Sequence, residues 1–194
     1  MKIIRWGLLL LGLSLSGTAV ASPIFYETVD EGGGRWTYNY TAGNDTAFDI
    51  EEFTIYFDYG LYEFVLVDDG FGGQEVDPND YDAPADWDPI VAPTDIILGV
   101  EEDGFYDAFA FGDLLFPGNL IPGFSVSFTY LGLGTPGSQF FEYFGYDAAD
   151  NDIFGDSFTE LRDDTPQPVP EPGTLLLMSL GLLGFFVRRV LPIR

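Results

Sequence analysis

The chain has 194 residues and is strongly acidic, with 32 Asp and Glu against 7 Lys and Arg and a net charge of −25 at pH 7. This excess of carboxylates repels phosphate groups and argues against nucleic acid as a partner. The sequence contains neither histidine nor cysteine, which excludes Ser-His and Cys-His catalysis, imidazole or thiolate zinc sites, and disulfide bonds. Because 46% of the residues are hydrophobic, a packed core is expected rather than disorder.

The N-terminal end of the chain has the pattern of a secretory signal peptide. Two early basic residues precede an apolar run at residues 8–15, and Ala19-Val20-Ala21 has the small-x-small pattern that signal peptidase cleaves. We therefore predict a signal peptide at residues 1–21. Cleavage by signal peptidase makes Ser22 the first residue of the exported protein.

The middle of the chain, residues 22–164, is predicted to be one all-β ectodomain. Some segments alternate apolar and polar residues with the period of two of a half-buried strand, and others are rich in aromatic and β-branched residues. The absence of a credible amphipathic helix between them favours a single β-sandwich of the jelly-roll or immunoglobulin-like type. The predicted strands are Trp36–Thr41, Phe53–Phe57, Leu61–Val67, Phe105–Phe111, Gly123–Tyr130 and Phe140–Tyr146.

Two of these strands allow a prediction of side-chain direction. Ahead of Phe53–Phe57, the alternation of Phe48 and Ile50 is broken by Glu51-Glu52, which predicts a bulge or a kink. In Gly123–Tyr130 the apolar side chains share one face of the strand. These side chains are Phe124, Val126, Phe128 and Tyr130.

Two connections are predicted from their turn residues. Residues 68–93 hold several glycines, prolines and aspartates with few apolar residues, which predicts a long acidic loop. Tyr81 and Trp87 in this loop could stack on sugar rings, although aromatic side chains more often pack in a core. Gly134, Pro136 and Gly137 predict a hairpin-like loop between two strands.

Clusters of aspartate make calcium the one cofactor that the sequence suggests, because this hard cation binds several oxygen ligands. The spacing is not that of an EF-hand, and an acidic loop without metal is the alternative interpretation. The predicted calcium ligands are Asp147, Asp150, Asn151, Asp152 and Asp156. A second cluster consists of Asp77, Asp80, Asp82, Asp86 and Asp88.

The C-terminal end is predicted to be a membrane anchor. Residues 165–173 form a proline-rich linker, and residues 174–194 are predicted to be a hydrophobic helix with a basic tail. At 1.5 Å per residue, the apolar run at 174–187 spans roughly 21 Å, less than the roughly 30 Å of a hydrocarbon core, so the anchor is marginal. The basic residues that follow stay on the cytoplasmic side, which places the ectodomain outside the inner membrane.

This tail resembles the PEP-CTERM sorting signal of Gram-negative envelope proteins. The resemblance implies recognition by a membrane-embedded exosortase, which cleaves near the Pro-Glu-Pro triplet and transfers the protein to the cell exterior. Any cysteine nucleophile in that reaction belongs to the exosortase. A looser resemblance links residues 132–140 to secreted domains that precede such signals. The matching tail residues are Val169, Pro170, Glu171, Pro172, Thr174, Arg188 and Arg189.

Together these features predict a protein without enzymatic activity that is held briefly in the inner membrane and then reaches the cell surface or extracellular matrix. We expect a structural or adhesive role with exopolysaccharide in a biofilm. One alternative is a secreted carbohydrate-active enzyme that uses a pair of carboxylates. Another is a calcium-dependent module that binds the extracellular matrix.

Overall fold

The structure is a computed structural model that describes residues 22–97 and 99–162, and all regular elements in these ranges are β-strands. No helix in these ranges is long and apolar enough to cross a membrane. The predicted signal peptide, linker and C-terminal helix lie outside the described residues. The strands are β1 (Ile24–Gly32), β2 (Arg35–Gly43), β3 (Asp49–Phe57), β4 (Tyr62–Glu63), β5 (Leu66–Asp68), β6 (Gln74–Val76), β7 (Tyr81–Asp82), β8 (Trp87–Ala92), β9 (Asp95–Ile97), β10 (Val100–Glu102), β11 (Gly104–Ala110), β12 (Leu120–Tyr130), β13 (Phe140–Tyr146), β14 (Asp152–Phe158) and β15 (Glu160–Leu161).

Most of these strands form two larger sheets. The six-stranded sheet has the order β15-β1-β2-β12-β4, and β7 also pairs with β12. The five-stranded sheet has the order β14-β13-β3-β11-β8, while β5 with β6 and β9 with β10 form two-stranded sheets. The all-β class is therefore confirmed for the described residues, whereas the single jelly-roll or immunoglobulin-like sandwich stays a prediction.

Aromatic side chains from the two larger sheets pack against each other and form the core. The ring centroids of Phe53 in β3 and Phe124 in β12 are 4.9 Å apart, and those of Phe57 and Phe128 are 5.9 Å apart. Phe124, Val126 and Phe128 are fully buried, and Tyr130 packs against the core while partly exposed. The predicted shared face of these side chains is confirmed.

A buried polar network satisfies tyrosine hydroxyl groups inside this aromatic core. The Tyr40 hydroxyl donates to Gln139 Oε1 at 3.2 Å, and the Gln139 amide donates to the Tyr38 hydroxyl and, at 3.3 Å, to the Tyr62 hydroxyl. The Gln139 backbone N–H donates to Thr159 Oγ1 at 2.9 Å. Burial raises the pKa of Tyr38 and of Tyr40, because the tyrosinate form would be desolvated.

The bulge predicted at Glu51-Glu52 is confirmed. The pairing of β13 with β3 shifts register, with Phe144 opposite Glu52 and the next residue, Gly145, opposite Ile50. Glu51 is therefore the extra residue of the bulge. A Cβ atom at position 145 would overlap the backbone of Asp49, so only glycine allows β13 to pass this point.

The predicted loop at residues 68–93 is wrong in part, because this segment contributes strands to both larger sheets. β7 pairs with β12, and β8 forms the edge of the five-stranded sheet by pairing with β11. Trp87 begins β8 and is only 4% exposed, with its ring 5.3 Å from that of Phe124. The burial of this side chain outweighs the loop-forming composition around it, so Trp87 is a core residue rather than an exposed stacking platform.

Two further predictions about connections need correction. The segment at 61–67 is not one strand, since β4 ends at Glu63 and β5 starts at Leu66. The loop with Gly134, Pro136 and Gly137 does not close a hairpin, because it joins β12 of one larger sheet to β13 of the other. Gln139 lies at the end of this connection between the two sheets. Its side chain is buried in the core and is held there by its hydrogen bonds.

We predict that Gln139→Leu lowers the free energy of unfolding by about 1–3 kcal/mol, because buried tyrosine hydroxyl groups lose a partner. Equilibrium denaturant unfolding measures this change. Gln74→Leu is the matched control, since Gln74 is exposed in β6, and its effect should stay within about 0.5 kcal/mol. Equal effects of the two substitutions would contradict a stabilising role for the network.

Candidate functional site

The residues predicted to direct export and sorting fall almost entirely outside the described ranges. Ala19 and Ala21 of the predicted cleavage site lie there, as do all of the sorting residues from Val169 to Arg189. Ser22 is described, is 2% exposed, and its hydroxyl donates to the Gly43 carbonyl. The well-packed part of the chain thus includes the residue that is predicted to become the N-terminus.

The predicted calcium loop forms a compact turn around Asp147. Its Oδ1 atom accepts hydrogen bonds from the backbone N–H groups of Ala149 and Asn151, at 2.8 and 3.0 Å. These bonds lower the pKa of Asp147, because they favour the ionised carboxylate. Asp152 and Asp156 lie further on, at the start and within β14. Among the described residues, no three His, Cys, Asp or Glu side chains are grouped to hold a metal, and calcium binding stays a prediction.

The second aspartate cluster is divided among different structural roles. Asp77 caps a turn by accepting from the Asn79 backbone N–H at 2.9 Å, and Asp80 forms an ion pair with Arg35 of β2. Asp82 lies in β7, whereas Asp88 lies in β8 of the other larger sheet. The structure therefore does not bring this cluster together.

A different set of residues is brought together on the outer face of the five-stranded sheet. The inner side chains of β3 are the buried Phe53, Ile55 and Phe57. Strand alternation then directs Glu52, Thr54 and Tyr56 outward. Because the neighbouring strands are paired in register with β3, their outward side chains fall into rows that run across the sheet.

The central row on this outer face is acidic. In the pairing register, Asp156 of β14 lies opposite Glu142 of β13, Glu142 opposite Thr54, and Thr54 opposite Asp107 of β11. At about 4.8 Å per strand, Asp156 and Asp107 are separated by about 14 Å across the sheet. We call Asp156, Glu142, Thr54 and Asp107 the acidic row.

Aromatic side chains flank the acidic row on both sides, two residues along each strand. On one side, Phe158 pairs with Phe140, whose ring is 5.8 Å from that of Tyr56. On the other side, Phe154 pairs with Phe144, and their rings are 5.0 Å apart. Phe154 is 72% exposed and Phe158 is 60% exposed. These large apolar side chains on a solvent-facing sheet are candidates for contact with a ligand.

Hydrogen bonds hold the polar groups of the outer face in position. The Tyr56 hydroxyl donates to Glu142 Oε2 at 2.8 Å, and the Thr54 hydroxyl donates to Asp107 Oδ1 at 2.7 Å. Partial burial, together with the bond to Glu142, raises the pKa of Tyr56 to about 12. Tyr56 therefore stays protonated and remains a hydrogen-bond donor at neutral pH.

Several carboxylates lie close together where β3 bulges. Burial raises the pKa of Glu52, and the neighbouring charges of Asp107 and Glu51 raise it further. Burial also raises the pKa of Asp107, against the opposing effect of the hydrogen bond from Thr54. Glu51 Oε2 is buried and has no hydrogen-bond partner among the described residues. Glu52 and Asp107 therefore ionise less readily than ordinary carboxyl groups, and the five strands of this sheet contain no lysine or arginine that could offset their charge.

The outer face also contains an open groove of about 370 Å³. Its lining includes Glu52, Thr54 and Glu142 together with the aromatic side chains of Phe144 and Phe154. The groove thus places hydrogen-bond acceptors beside apolar ring faces. Such a combination suits a ligand that presents hydroxyl or amino groups at its edges and C–H groups on its faces.

Only part of this face was predictable from the sequence. The sequence predicted two of the strands, Phe53–Phe57 and Phe140–Tyr146, and the bulge at Glu51-Glu52. The alternation of side chains along these strands indicates which of them point away from the core. The prediction placed Asp156 in a calcium cluster, whereas the structure places it beside Glu142 on the outer face. One sequence pattern indicates the site. Phe154, Asp156 and Phe158 stand at every second position, which places an acidic side chain between two aromatic ones on one face of a strand.

Comparison with known proteins identifies the tail. A model of the PEP-CTERM protein-sorting motif matches residues 168–190. The chain therefore contains a PEP-CTERM sorting domain, which confirms the resemblance seen in the sequence. The motif implies that the protein is exported, processed by an exosortase and sorted to the cell surface. No curated protein matches the chain.

We predict that Glu52→Gln raises the melting temperature at pH 7 and that the gain disappears below pH 4.5, the ordinary pKa of this side chain. A raised pKa in the folded state means that Glu52 contributes stability when protonated. That contribution is lost as the pH rises through the pKa of the folded state. Glutamine keeps the neutral form at every pH.

Thermal melts of Glu63→Gln provide the control for this prediction. Glu63 is exposed in β4, so its substitution measures the general effect of removing one charge from a chain with net charge −25. The gain at pH 7 should be larger for Glu52→Gln than for Glu63→Gln. Equal gains, or a gain for Glu52→Gln that persists at acidic pH, would contradict the assigned burial of Glu52.

Proposed function

We propose that this protein is an exported, exosortase-sorted matrix protein whose ectodomain binds extracellular polysaccharide through the outer face of the five-stranded sheet. Its role is adhesive or structural rather than enzymatic. We further propose that the two larger sheets form a single β-sandwich and that the C-terminal helix is a transient anchor. The observation that carries the proposal is the acidic row flanked by exposed phenylalanine side chains.

The chemistry of a sugar chain matches the groups on this face. A pyranose ring has apolar C–H faces that pack on aromatic rings, and hydroxyl groups at its edge that donate to carboxylates. Phe154 and Phe158 offer exposed ring surface, while Glu142 and Asp156 offer acceptors in the row between the aromatic side chains. A sheet surface also holds these groups at fixed spacing, so a polymer is bound with little ordering of the protein.

The outer face fits binding better than hydrolysis. Glycosidases place two carboxyl groups about 5–9.5 Å apart, on either side of the bond that is cleaved. The charge of Asp107 raises the pKa of the neighbouring Glu52, but the groove that Glu52 lines is open to solvent. An open groove does not exclude water from a bond that is to be cleaved, so we favour binding over hydrolysis.

We predict that Phe154→Ala weakens polysaccharide binding by about 1 kcal/mol, roughly fivefold in Kd, because one stacking surface is removed. Binding is measured by sedimentation of the purified exported protein with insoluble matrix polysaccharide from its own host. Phe154→Tyr keeps the ring and should bind as the wild type does.

Phe71→Ala is the matched control for this experiment. Phe71 is 97% exposed but lies outside the five-stranded sheet, between β5 and β6. Unchanged binding of Phe154→Ala, or an equal loss in Phe71→Ala, would overturn the proposed binding surface. Sugar released from the polysaccharide by the wild-type protein would instead favour the carbohydrate-active enzyme.

We predict that Glu171→Ala leaves export intact but retains the protein in the inner membrane, because the central residue of the Pro-Glu-Pro triplet is lost. Fractionation of the cells, followed by intact mass spectrometry, measures location and processing together. The wild-type protein should begin at Ser22 and end near Pro172.

Gln167→Ala is the control for sorting, since position 167 precedes the matched residues 168–190. This variant should be processed and released as the wild type is. Normal release of Glu171→Ala would show that exosortase does not depend on the triplet, and a host without exosortase should retain both variants.

A further inference from the structure

The charges on the outer face are all of one sign. The five-stranded sheet consists of β3, β8, β11, β13 and β14. None of these strands contains lysine or arginine. The described residues include two basic side chains, Arg35 and Arg162. Arg35 lies in β2 of the six-stranded sheet and forms an ion pair with Asp80, and Arg162 follows β15 of that sheet. The five strands therefore supply no counter-charge of their own to this face.

Its acidic side chains also retain capacity to accept hydrogen bonds. Asp156 lines the groove and is exposed in β14. Glu142 accepts one bond from Tyr56 and is otherwise exposed, so most of its acceptor sites face solvent. A donor with a positive charge makes a stronger hydrogen bond to an exposed carboxylate than a neutral donor does. The geometry thus favours a ligand that supplies positively charged donors.

We propose that the outer face is a subsite for an amino-sugar polymer, in which the acidic row binds protonated amino groups while the flanking aromatic side chains stack on the sugar rings. This inference rests on the proposed function and names the substrate class of the same site. An ammonium group supplies three donors and one positive charge, which matches an acidic row in a sheet whose five strands contain no lysine or arginine. Anionic polymers such as polyuronates are repelled by the same charges.

The arrangement of the acidic row suits a linear polymer that lies across the strands. Carboxylates occur at Asp156, Glu142 and Asp107, with Thr54 between the last two. The row is about 14 Å long, and the flanking aromatic side chains lie about 7 Å to each side. A chain lying along this row brings successive amino groups to successive carboxylates while its rings face Phe144 and Phe154.

Isothermal titration calorimetry of the purified exported protein tests the inference with three probes. These are the hexamer of glucosamine, the neutral hexamer of N-acetylglucosamine and an oligouronate of similar length. We expect the glucosamine hexamer to bind at least about tenfold more tightly than the acetylated hexamer, since charge-assisted hydrogen bonds are worth about 1.5–3 kcal/mol. Raising the salt concentration should reduce this preference, because the groove is open to solvent.

Glu142→Gln isolates the role of charge, because glutamine can still accept the hydrogen bond from Tyr56. This variant should lose about tenfold in affinity for the glucosamine hexamer and little for the acetylated one. Glu63→Gln in β4 makes the same charge change on the other larger sheet and should alter neither affinity. Phe154→Ala should weaken both hexamers, because stacking does not depend on the amino group.

Two results separate a failure of this inference from a failure of the proposed function. Equal binding of the charged and acetylated hexamers, with loss of both in Phe154→Ala and no effect of Glu142→Gln, would overturn the amino-sugar inference alone. No binding of any hexamer or of matrix polysaccharide would overturn both. Tightest binding of the oligouronate would also contradict the inference, since its charge has the opposite sign.

Discussion

The packing of aromatic side chains between the two larger sheets is the constraint on which the rest of the structure depends. Burial of Phe53, Ile55 and Phe57 fixes which side of β3 faces the core. Because side chains alternate along a strand, the same burial places Glu52, Thr54 and Tyr56 on the opposite face. A shift of one residue in register would bury these polar groups and expose the aromatic ones, at a large cost in free energy. The core therefore determines the composition of the outer face.

The bulge in β3 modifies this rule at one point and gives the outer face its concentration of charge. An extra residue at Glu51 interrupts the alternation, so Ile50 returns to the core although Glu51 and Glu52 are consecutive acidic residues. Partial burial of Glu52, together with the neighbouring charges of Asp107 and Glu51, disfavours its ionisation and raises its pKa. Glu52 also lines the groove that we propose as the binding site.

The destination signal and the proposed binding surface lie in separate parts of the chain. The PEP-CTERM motif at residues 168–190 implies export and surface sorting. The described strands lie in a compact unit that ends at Leu161, before this motif. The two parts have different sequence requirements, since sorting depends on a short linear pattern whereas the outer face depends on strands paired in register. A substitution that abolishes sorting should therefore leave binding by the outer face intact, and a substitution that abolishes binding should leave sorting intact.

Local patterns were sufficient to predict the sorting motif, the bulge and the strands β2, β3, β11, β12 and β13, whereas β1 and β14 were missed. Their signals are contained in a few consecutive residues, such as Pro170-Glu171-Pro172 or the alternation in Gly123–Tyr130. The role of Trp87 could not be predicted in this way, because its burial depends on contacts with Phe53 and Phe124 from other strands. The acidic row was missed for the same reason, since its residues come from β3, β11, β13 and β14 and meet only through sheet pairing.

The most direct test of the proposed binding surface is an NMR titration of the isotope-labelled exported protein with its own matrix polysaccharide. Binding to the outer face predicts that the largest shifts occur in the side-chain signals of Phe144, Phe154 and Glu142, while the buried Phe128 stays unchanged. Shifts confined to the six-stranded sheet or to the loops would contradict the assignment of the outer face as the binding surface.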